Sequence, residues 1–598
     1  WFERNYAIYL TAGQSWSAPP VRLVVGRSAE QSGADYTRLN GINRGLEQKT
    51  KPEVLAKLKQ GLLLYLAGNA ASKRAALAKL PVPTLVHFAD YLKGGFDKQY
   101  PDHLPPNPSF GSGADLKALF DEAHARGLLV SPYTNPTWWC VDPVGPTWER
   151  EGEVGLLRGL DGKTSYEKYA ANAGFTITMW HPAVRRANEV TRRQFTQDYP
   201  VDVLFQDQCG ARGWHYDTNP ASPTPAAYSE GMVSMVDEDS RLVPLGTESG
   251  WDRVVNAETQ LCGLSWALTT HRNERSYRER YPRETWTIYP LAQRIAHDKC
   301  LMLFHDLGQF CDDDASTAWA LALGFQLSWR TTGPALDQPN PKAWLAWLDR
   351  LEKTLVAPTL GRPLGSFTHT RDGADDEGLV RASYDDTQYL VNLASQPRTA
   401  DGVTLAPYGF RAGSPTVRAA LLAGQPGYIS SGGAKQAEAW VLARTGETAQ
   451  VELPAALAAG AKAQIDGQAA EVGIAGNRLT AKLPDFASTA TKPATWPGRA
   501  IAVIDLGPGV SLGWATVSPA QYAAALTASK LGAPRILRTP AEVAQALTAG
   551  PADIWAIINP YGELLPSEPG AVRAQIDRVR SFVNRGGVWW ETGGYSFH

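Results

Sequence analysis

Four stretches of this 598-residue sequence end an apolar run on an acidic residue: Thr84–Asp90 (TLVHFAD), Val201–Asp207 (VDVLFQD), Leu242–Glu248 (LVPLGTE) and Cys300–Asp306 (CLMLFHD). A carboxyl at the mouth of a buried strand reaches a cleft in a fixed direction, as general acid–base and nucleophilic catalysis require. Asp207 stands between Gln206 and Gln208, with Gly210 beyond. A fixed, ionised carboxylate of this kind suits attack on an anomeric carbon; the competing reading is a cap of the next helix. Glu248 lies between Gly246 and Gly250, with Trp251 just after it. Desolvation beside aromatic surface favours the neutral carboxyl and suits a general acid. Asp252 is a rival acid that reads better as a partner for Arg253 or as a helix cap.

Asp207 and Glu248 belong to consecutive strand segments. Adjacent strands lie about 4.8 Å apart, so the two side chains can meet within the roughly 5–5.5 Å of a retaining glycosidase pair. An inverting pair, at roughly 6.5–9.5 Å, usually draws on more distant groups, and both outcomes stay open. Asp306, behind His305, is expected to be a third catalytic carboxylate that binds sugar hydroxyls; a helix cap or a partner for Arg272 are the alternatives. Asp90 is placed to hold a terminal sugar, with the loop GGFDKQYPDHLPP as a wall of the cleft. The expected substrate-binding set is completed by Tyr133, Asn135, Trp180, His181, Gln208, His271, Arg272 and His305. Stacking platforms are sought among Tyr133, Trp138, Trp139, Trp214 and Trp251, each of which could equally be core.

The elements that must position these groups follow a strand–loop–helix rhythm from Pro83. Strand segments are expected at Thr84–Asp90, Leu128–Tyr133, Thr176–Trp180, Val201–Asp207, Leu242–Glu248, Gly263–Thr269, Cys300–Asp306 and near Leu323–Trp329. Their near-continuous apolar character is that of parallel strands buried on both faces. Eight such segments over roughly 250 residues fit a (β/α)8 TIM barrel, with a doubly wound sheet as the alternative. Before Pro83, short strands at Tyr6–Thr11 and Val21–Val25 and helical segments at 52–66 and 72–79 form an expected lead-in, residues 1–82. The barrel is expected over 83–362 and a β-sandwich over 363–495. A small flavodoxin-like or glutamine-amidotransferase-like α/β domain is expected over 499–598, cut off at its C-terminus.

Charge is nearly balanced, with 58 Lys+Arg against 60 Asp+Glu, and no basic stripe marks a nucleic-acid or membrane-surface partner. The 20 Trp outnumber the 16 Phe, which suits stacking on sugar rings as well as core packing. Five cysteines lack CxxC or zinc spacing, and their odd count argues against a disulfide framework. No HxH or HExxH pattern and no phosphate-binding glycine loop follows a strand, so neither a metal nor a nucleotide cofactor is expected. No apolar run reaches transmembrane length. The abrupt start at Trp1 reads as an excerpt, so the sequence leaves localisation open, with secreted or periplasmic placement favoured over others.

Taken together, VDVLFQDQ, LVPLGTES and LMLFHD resemble the α-amylase-like order of nucleophile, acid/base and transition-state-stabilising carboxylate. MWHPAVRRANEV, just before the nucleophile strand, looks like the NP-x-x-R helix of α-glucosidase and α-galactosidase barrels. The layout also resembles the endo-α-N-acetylgalactosaminidase group and related bacterial glycosidase-like barrels. The resemblance covers about residues 83–360 and implies a retaining α-glycosidase acting on oligo- or polysaccharide. Phe205 stands where an amylase has arginine, which argues against a true amylase and leaves the sugar open. The last domain resembles an accessory domain of some β-galactosidases. It has no cysteine after Cys311, so it is expected to be non-catalytic, a surface for homo-oligomer assembly. A non-catalytic carbohydrate-binding protein is the rival class.

Overall fold

The computed structural model describes residues 10, 12–18, 25, 27–169, 171–264, 287–371, 377–442, 448–458, 462–465, 468–469, 472–482, 500–507, 510, 517–528, 533–551, 553–561, 564–568, 570–585 and 587–591. Two compact units divide the chain, 1–485 and 486–598.

The first unit holds an eight-stranded, all-parallel (β/α)8 barrel. Its strands are β1 (Leu62–Ala67), β2 (Thr84–Phe88), β3 (Leu129–Thr134), β4 (Leu204–Gly210), β5 (Leu245–Ser249), β6 (Glu258–Cys262), β7 (Leu301–Leu303) and β8 (Ser328–Thr332). They pair in the order β7-β6-β5-β4-β3-β2-β1-β8. Across the seam between β7 and β8 the Gln326 N–H donates to Met302 O at 2.8 Å. Helices start where local chemistry caps them: Ser112 and Asp115 bond reciprocally at the head of Gly113–Ala125, and Pro182 opens Pro182–Arg193.

Three sequence expectations are corrected. The stretch 52–66 is a helix only over Pro52–Gln60; Leu62–Ala67 is the first barrel strand, so the barrel sheet begins well before Pro83. LLLYLA carries no polar face, and a strand buried on both sides has the same hydropathy as a buried helix. Gly61 marks the switch, since a Cβ there would lie 2.7 Å from Pro83 O. Second, Thr176–Trp180 is no barrel strand. Asn172–Thr176 joins Trp138–Cys140 and Tyr166–Tyr169 in a small antiparallel side sheet that follows β3. Third, the strand that follows β5 is Glu258–Cys262, where Glu258, Thr259 and Gln260 are polar yet buried and so hide it from hydropathy; the strand expected at Gly263–Thr269 lies outside the described residues from 265 on. The stretches Tyr6–Thr11 and Val21–Val25 fall almost wholly outside the described residues, and 265–286 do entirely.

After Arg362 comes a nine-stranded sheet, largely antiparallel, from Leu364–Thr370 to Gln468–Ala469. A three-stranded sheet packs on it, with Tyr428, Ala439, Val441, Val451 and Leu479 buried between the two, the sandwich that the turn-rich sequence implies. Its opposite face shares the barrel's core through Val380, Tyr384 and Tyr389, whose hydroxyl donates to Leu355 O. The second unit has a four-stranded parallel sheet in which Ala500–Ile504 lies between Arg535–Leu537 and Ile554–Asn559, with Val588–Glu591 at the edge. Helices Pro519–Ala528, Pro540–Ala549 and Val572–Asn584 alternate with these strands.

Gly324 ends the helix Asp314–Leu323 at φ +68°, and the Tyr384 hydroxyl lies against the space a side chain would fill. Gly324→Ala adds left-handed strain to overpacking at the join of barrel and sandwich. The substitution is expected to destabilise the first unit by roughly 2–4 kcal/mol, read by urea denaturation.

Candidate active site

The C-terminal end of β4 pairs with that of β5 as far as Phe205 with Gly246 and Gln206 with Thr247; the register then shifts, Gly210 pairing with Ser249, so that Asp207 starts a bulge of three residues opposite the single Glu248. Thr247 staples the two ends, its hydroxyl donating to Gln206 O at 2.8 Å and accepting from the Gly210 N–H at 2.8 Å. A Cβ at Gly210 would lie 2.7 Å from Glu248 O and 2.8 Å from Thr247 Cγ2; only glycine allows this approach. The residues immediately after the two acids, Gln208 and Ser249, both take left-handed backbone, φ +63° and +60°. Such strain persists only where its surroundings over-determine it, and it clusters at functional sites.

Asp207 is buried and accepts on Oδ2 from the Tyr133 hydroxyl at 2.7 Å and Asn135 Nδ2 at 3.0 Å. Asn135 is itself oriented: its Oδ1 accepts from Thr137 N and Oγ1, leaving its NH2 group for Asp207 and Gln208. The Gln208 amide oxygen also takes a 2.7 Å bond from Arg212, which is held by Glu167 of the side sheet at 2.6 and 2.7 Å. A chain of bonds thus runs from the side sheet to Asp207. Burial, and then the charges of Glu248 and Asp306, push the Asp207 carboxyl well above its ordinary range. His103, which accepts from the Asn135 N–H, is fully buried and pushed down to about 4 by desolvation, so it stays neutral.

Glu248 is partly exposed and accepts from His305 Nε2 at 3.1 Å. Asp306 is fully buried, with Oδ2 3.2 Å from His87 Nε2. The sequence reading gives it a role in binding sugar hydroxyls; here its side chain is engaged by His87, and the neighbouring His305, also buried, reaches Glu248. Asp90 pairs with the fully buried Lys73 at 2.6 Å and accepts from the Gly68 N–H. It lines a cavity of about 640 Å³ together with Tyr65, Phe96, Trp329 and Arg330.

The aromatic expectations divide. Trp138 and Trp139 are 1% and 0% exposed. They are core of the side sheet, where Gly174 leaves room for the Trp138 ring, and offer no face for stacking. Trp180 donates to Ala227 O, and His181 caps the helix Pro182–Arg193, roles that use their polar atoms structurally. Trp214 is 48% exposed and meets Tyr216 edge-on. Trp251, under the Arg253 guanidinium, lines a separate apolar cavity of about 670 Å³ against the helix Ala29–Leu39. His271 and Arg272 lie outside the described residues.

Sequence reading missed His87, Arg212, Glu167 and Asp97. His87 had a signal, as the one imidazole on an otherwise apolar strand. Asp97 had none: it sits on the loop after β2 at φ +56°, its N–H bonded to the Tyr100 hydroxyl, its neighbour Phe96 packed 5.1 Å from Tyr133. Burial, with Glu248 adding to it, raises the Asp97 carboxyl to about 6 against hydrogen bonds from Tyr100 and Asn172. Four carboxyls, Asp97, Asp207, Glu248 and Asp306, therefore act on one another here. Among the described residues, no group of three or more His, Cys, Asp or Glu could hold a metal ion.

No protein-family model matches the sequence, and no curated protein does. Among solved structures, the chain is similar to the ligand-free α-N-acetylgalactosaminidase NagBb from Bifidobacterium bifidum, at 15% identity and a TM-score of 0.48. That alignment covers 61% of this chain and 62% of the other, so the chain spans less than two thirds of that protein's length. The GH36 α-galactosidase AgaA from Geobacillus stearothermophilus aligns at 12% identity, covering 58% of this chain and 48% of the other, with a TM-score of 0.41. An α-amylase from Lactobacillus plantarum aligns at 12% identity, covering 59% and 98%, with a TM-score of 0.39. Similarities this low carry no argument about the chemistry of this chain.

A carboxyl whose folded pKa lies above its unfolded value loses stabilisation as pH rises through the interval between them. For Asp97 that interval runs from 3.8 to about 6. Asp97→Asn removes the ionisation, so its melting temperature relative to wild type should climb by roughly 2–4 °C between pH 4 and pH 7. A difference independent of pH would contradict the placement of Asp97.

Proposed function

We propose that this chain is a glycoside hydrolase that cleaves α-linked oligo- or polysaccharide with net retention. Asp207 is the nucleophile and Glu248 the acid/base. The observation that carries this reading is the juxtaposition of the two acids at the ends of adjacent paired strands, each directly after the Gln206–Thr247 pair, with Glu248 as the strongest charge acting on Asp207. Tyr133 and Asn135 both bind Oδ2 of Asp207, which leaves Oδ1 for the anomeric carbon. Burial favours the protonated form of Asp207, while His305 donates to Glu248. Developing positive charge on the sugar ring favours the opposite arrangement, with Asp207 ionised and Glu248 protonated; the pair's total charge is the same in both.

In the first step Asp207 Oδ1 bonds to the anomeric carbon as the glycosidic C–O bond breaks, and the Glu248 proton passes to the leaving oxygen. In the second, Glu248 takes a proton from water, whose oxygen displaces Asp207 and releases the sugar. Asp90, beside its cavity, reads hydroxyls of the bound sugar. The α-configuration rests on the resemblance of VDVLFQDQ, LVPLGTES and MWHPAVRRANEV to α-glycosidase barrels. The second unit serves as a non-catalytic accessory domain.

Activity on a panel of aryl α- and β-glycosides tests the reading. Asp207→Asn and Glu248→Gln should each lower kcat on a cleaved substrate by roughly 10³-fold. Azide should restore turnover to a Glu248→Ala variant and give a glycosyl azide with the anomeric configuration of the substrate. Variants that match wild type would remove both residues from the chemistry.

A further inference from the structure

Glu248 is the visible end of a line of buried groups. His87, on β2, has both ring nitrogens engaged: Nδ1 is 2.7 Å from Ser131 O and Nε2 is 3.2 Å from Asp306 Oδ2, with His87 and Asp306 both 0% exposed. A carbonyl only accepts, so Nδ1 carries a proton. The remaining contact then needs one more proton, on Nε2 or on Oδ2, and in either form the pair has no net charge, as deep burial demands. Asp306 Oδ1 lies 3.3 Å from Nδ1 of His305. That nitrogen accepts from the N–H groups of Leu307 at 3.1 Å and Gly308 at 3.0 Å. It therefore presents a lone pair, and the proton of the His305 ring sits on Nε2, where it is donated to Glu248 Oε1 at 3.1 Å.

We propose that His87, Asp306 and His305 form a relay that positions Glu248 and sets its proton affinity, Asp306 acting through His305 and never touching the sugar. The inference rests on the reading of Glu248 as acid/base. His87 pins Asp306. Asp306 Oδ1 lies against the His305 Nδ1 lone pair without a hydrogen bond, so its charge acts through space. That charge makes the neutral ring's Nε2–H a weaker donor and keeps the proton affinity of Glu248 up, while the N–H still fixes one Glu248 oxygen. The other ionisable groups facing these residues, among those described, come from every side of the mouth. Asp207 on β4 and Asp97 on the loop after β2 face Glu248; Tyr65 on β1 faces Asp306; Cys262 on β6 faces both acids and also Glu258. Burial raises Tyr65 and Cys262 and keeps both neutral, so only the carboxyls and the two histidines compete for protons.

Two measurements on the full chain test the relay. Long-range 1H–15N spectra of histidine-labelled protein, assigned with His87→Gln and His305→Gln, read the tautomers without any substrate. His305 should carry its proton on Nε2 alone, and His87, facing an ionised Asp306, should carry protons on both ring nitrogens. His87→Gln should shift the His305 ring signals although the two residues are not in contact, and Asp306→Asn should do the same if His87→Gln does not fold. On a cleaved aryl glycoside, His87→Gln leaves Asp306 to take its own proton, which removes the charge behind the His305 ring and strengthens its Nε2–H as a donor to Glu248. The alkaline limb of kcat/KM should move down by about half a pH unit or more, with kcat down roughly 10–100-fold and KM within about threefold. A His305 ring protonated on Nδ1, or a His87→Gln enzyme with unchanged His305 signals and an unchanged limb, overturns the proposal. Failure of the wild type to cleave any glycoside would instead sink the assignment of Glu248, and the spectra would still decide whether the relay exists.

Discussion

The close lateral approach of β4 to β5 at Thr247 and Gly210 governs what this barrel mouth can do. Parallel strands emerge from a barrel with their ends side by side, and the pairing of Gln206 with Thr247 makes the next residue of each an acid. Two buried or half-buried carboxyls at such range cannot both ionise freely. Everything around them manages that conflict. Tyr133 and Asn135 take one oxygen of Asp207, His305 takes one oxygen of Glu248, and the left-handed turns at Gln208 and Ser249 carry the chain away at once.

Support for this arrangement comes from two directions. From outside the barrel, the side sheet reaches in through Glu167 and Arg212 to Gln208, and Thr137 fixes the orientation of Asn135. From inside, His87 and Asp306 occupy the interior below the mouth, with the His87 ring packed edge-on against Phe205. A small polar cluster in an apolar barrel is costly unless each member is paired. Here the pairings hold Asp207 and Glu248, the groups of the proposed chemistry, so on that proposal stability and function share the same bonds. The sandwich shares the barrel's core and steadies the scaffold, with Tyr384 and Tyr389 among the groups that join them.

Much of this is legible in the sequence, and the failures have physical causes. Strands β3, β4, β5 and β7 announce themselves as apolar runs that end on polar residues, so the residue pattern alone puts Asp207 and Glu248 at strand ends. LLLYLA escapes, because a strand buried on both faces has no period. Glu258–Cys262 is hidden by buried polar side chains. Trp138 and Trp139 show the limit of composition: tryptophan suits a sugar platform and a core equally, and only burial separates the two. Asp97 and the pair of Glu167 with Arg212 depend on how loops fold back over the mouth, which hydropathy does not encode. Asp306 follows β7 as expected, but its full burial against His87 depends on how neighbouring strands pack, which a strand-end position does not reveal.

The central claim is that Asp207 attacks the sugar. It is tested most directly by incubating the protein with activated fluoro-glycosides of α-linked sugars, which form the covalent intermediate faster than it hydrolyses, and then mapping the adduct by peptide mass spectrometry. The expected result is a single glycosyl group on the peptide that contains Asp207, absent from Asp207→Asn. A cleaved substrate that leaves no adduct, or an adduct on another carboxyl, would contradict it.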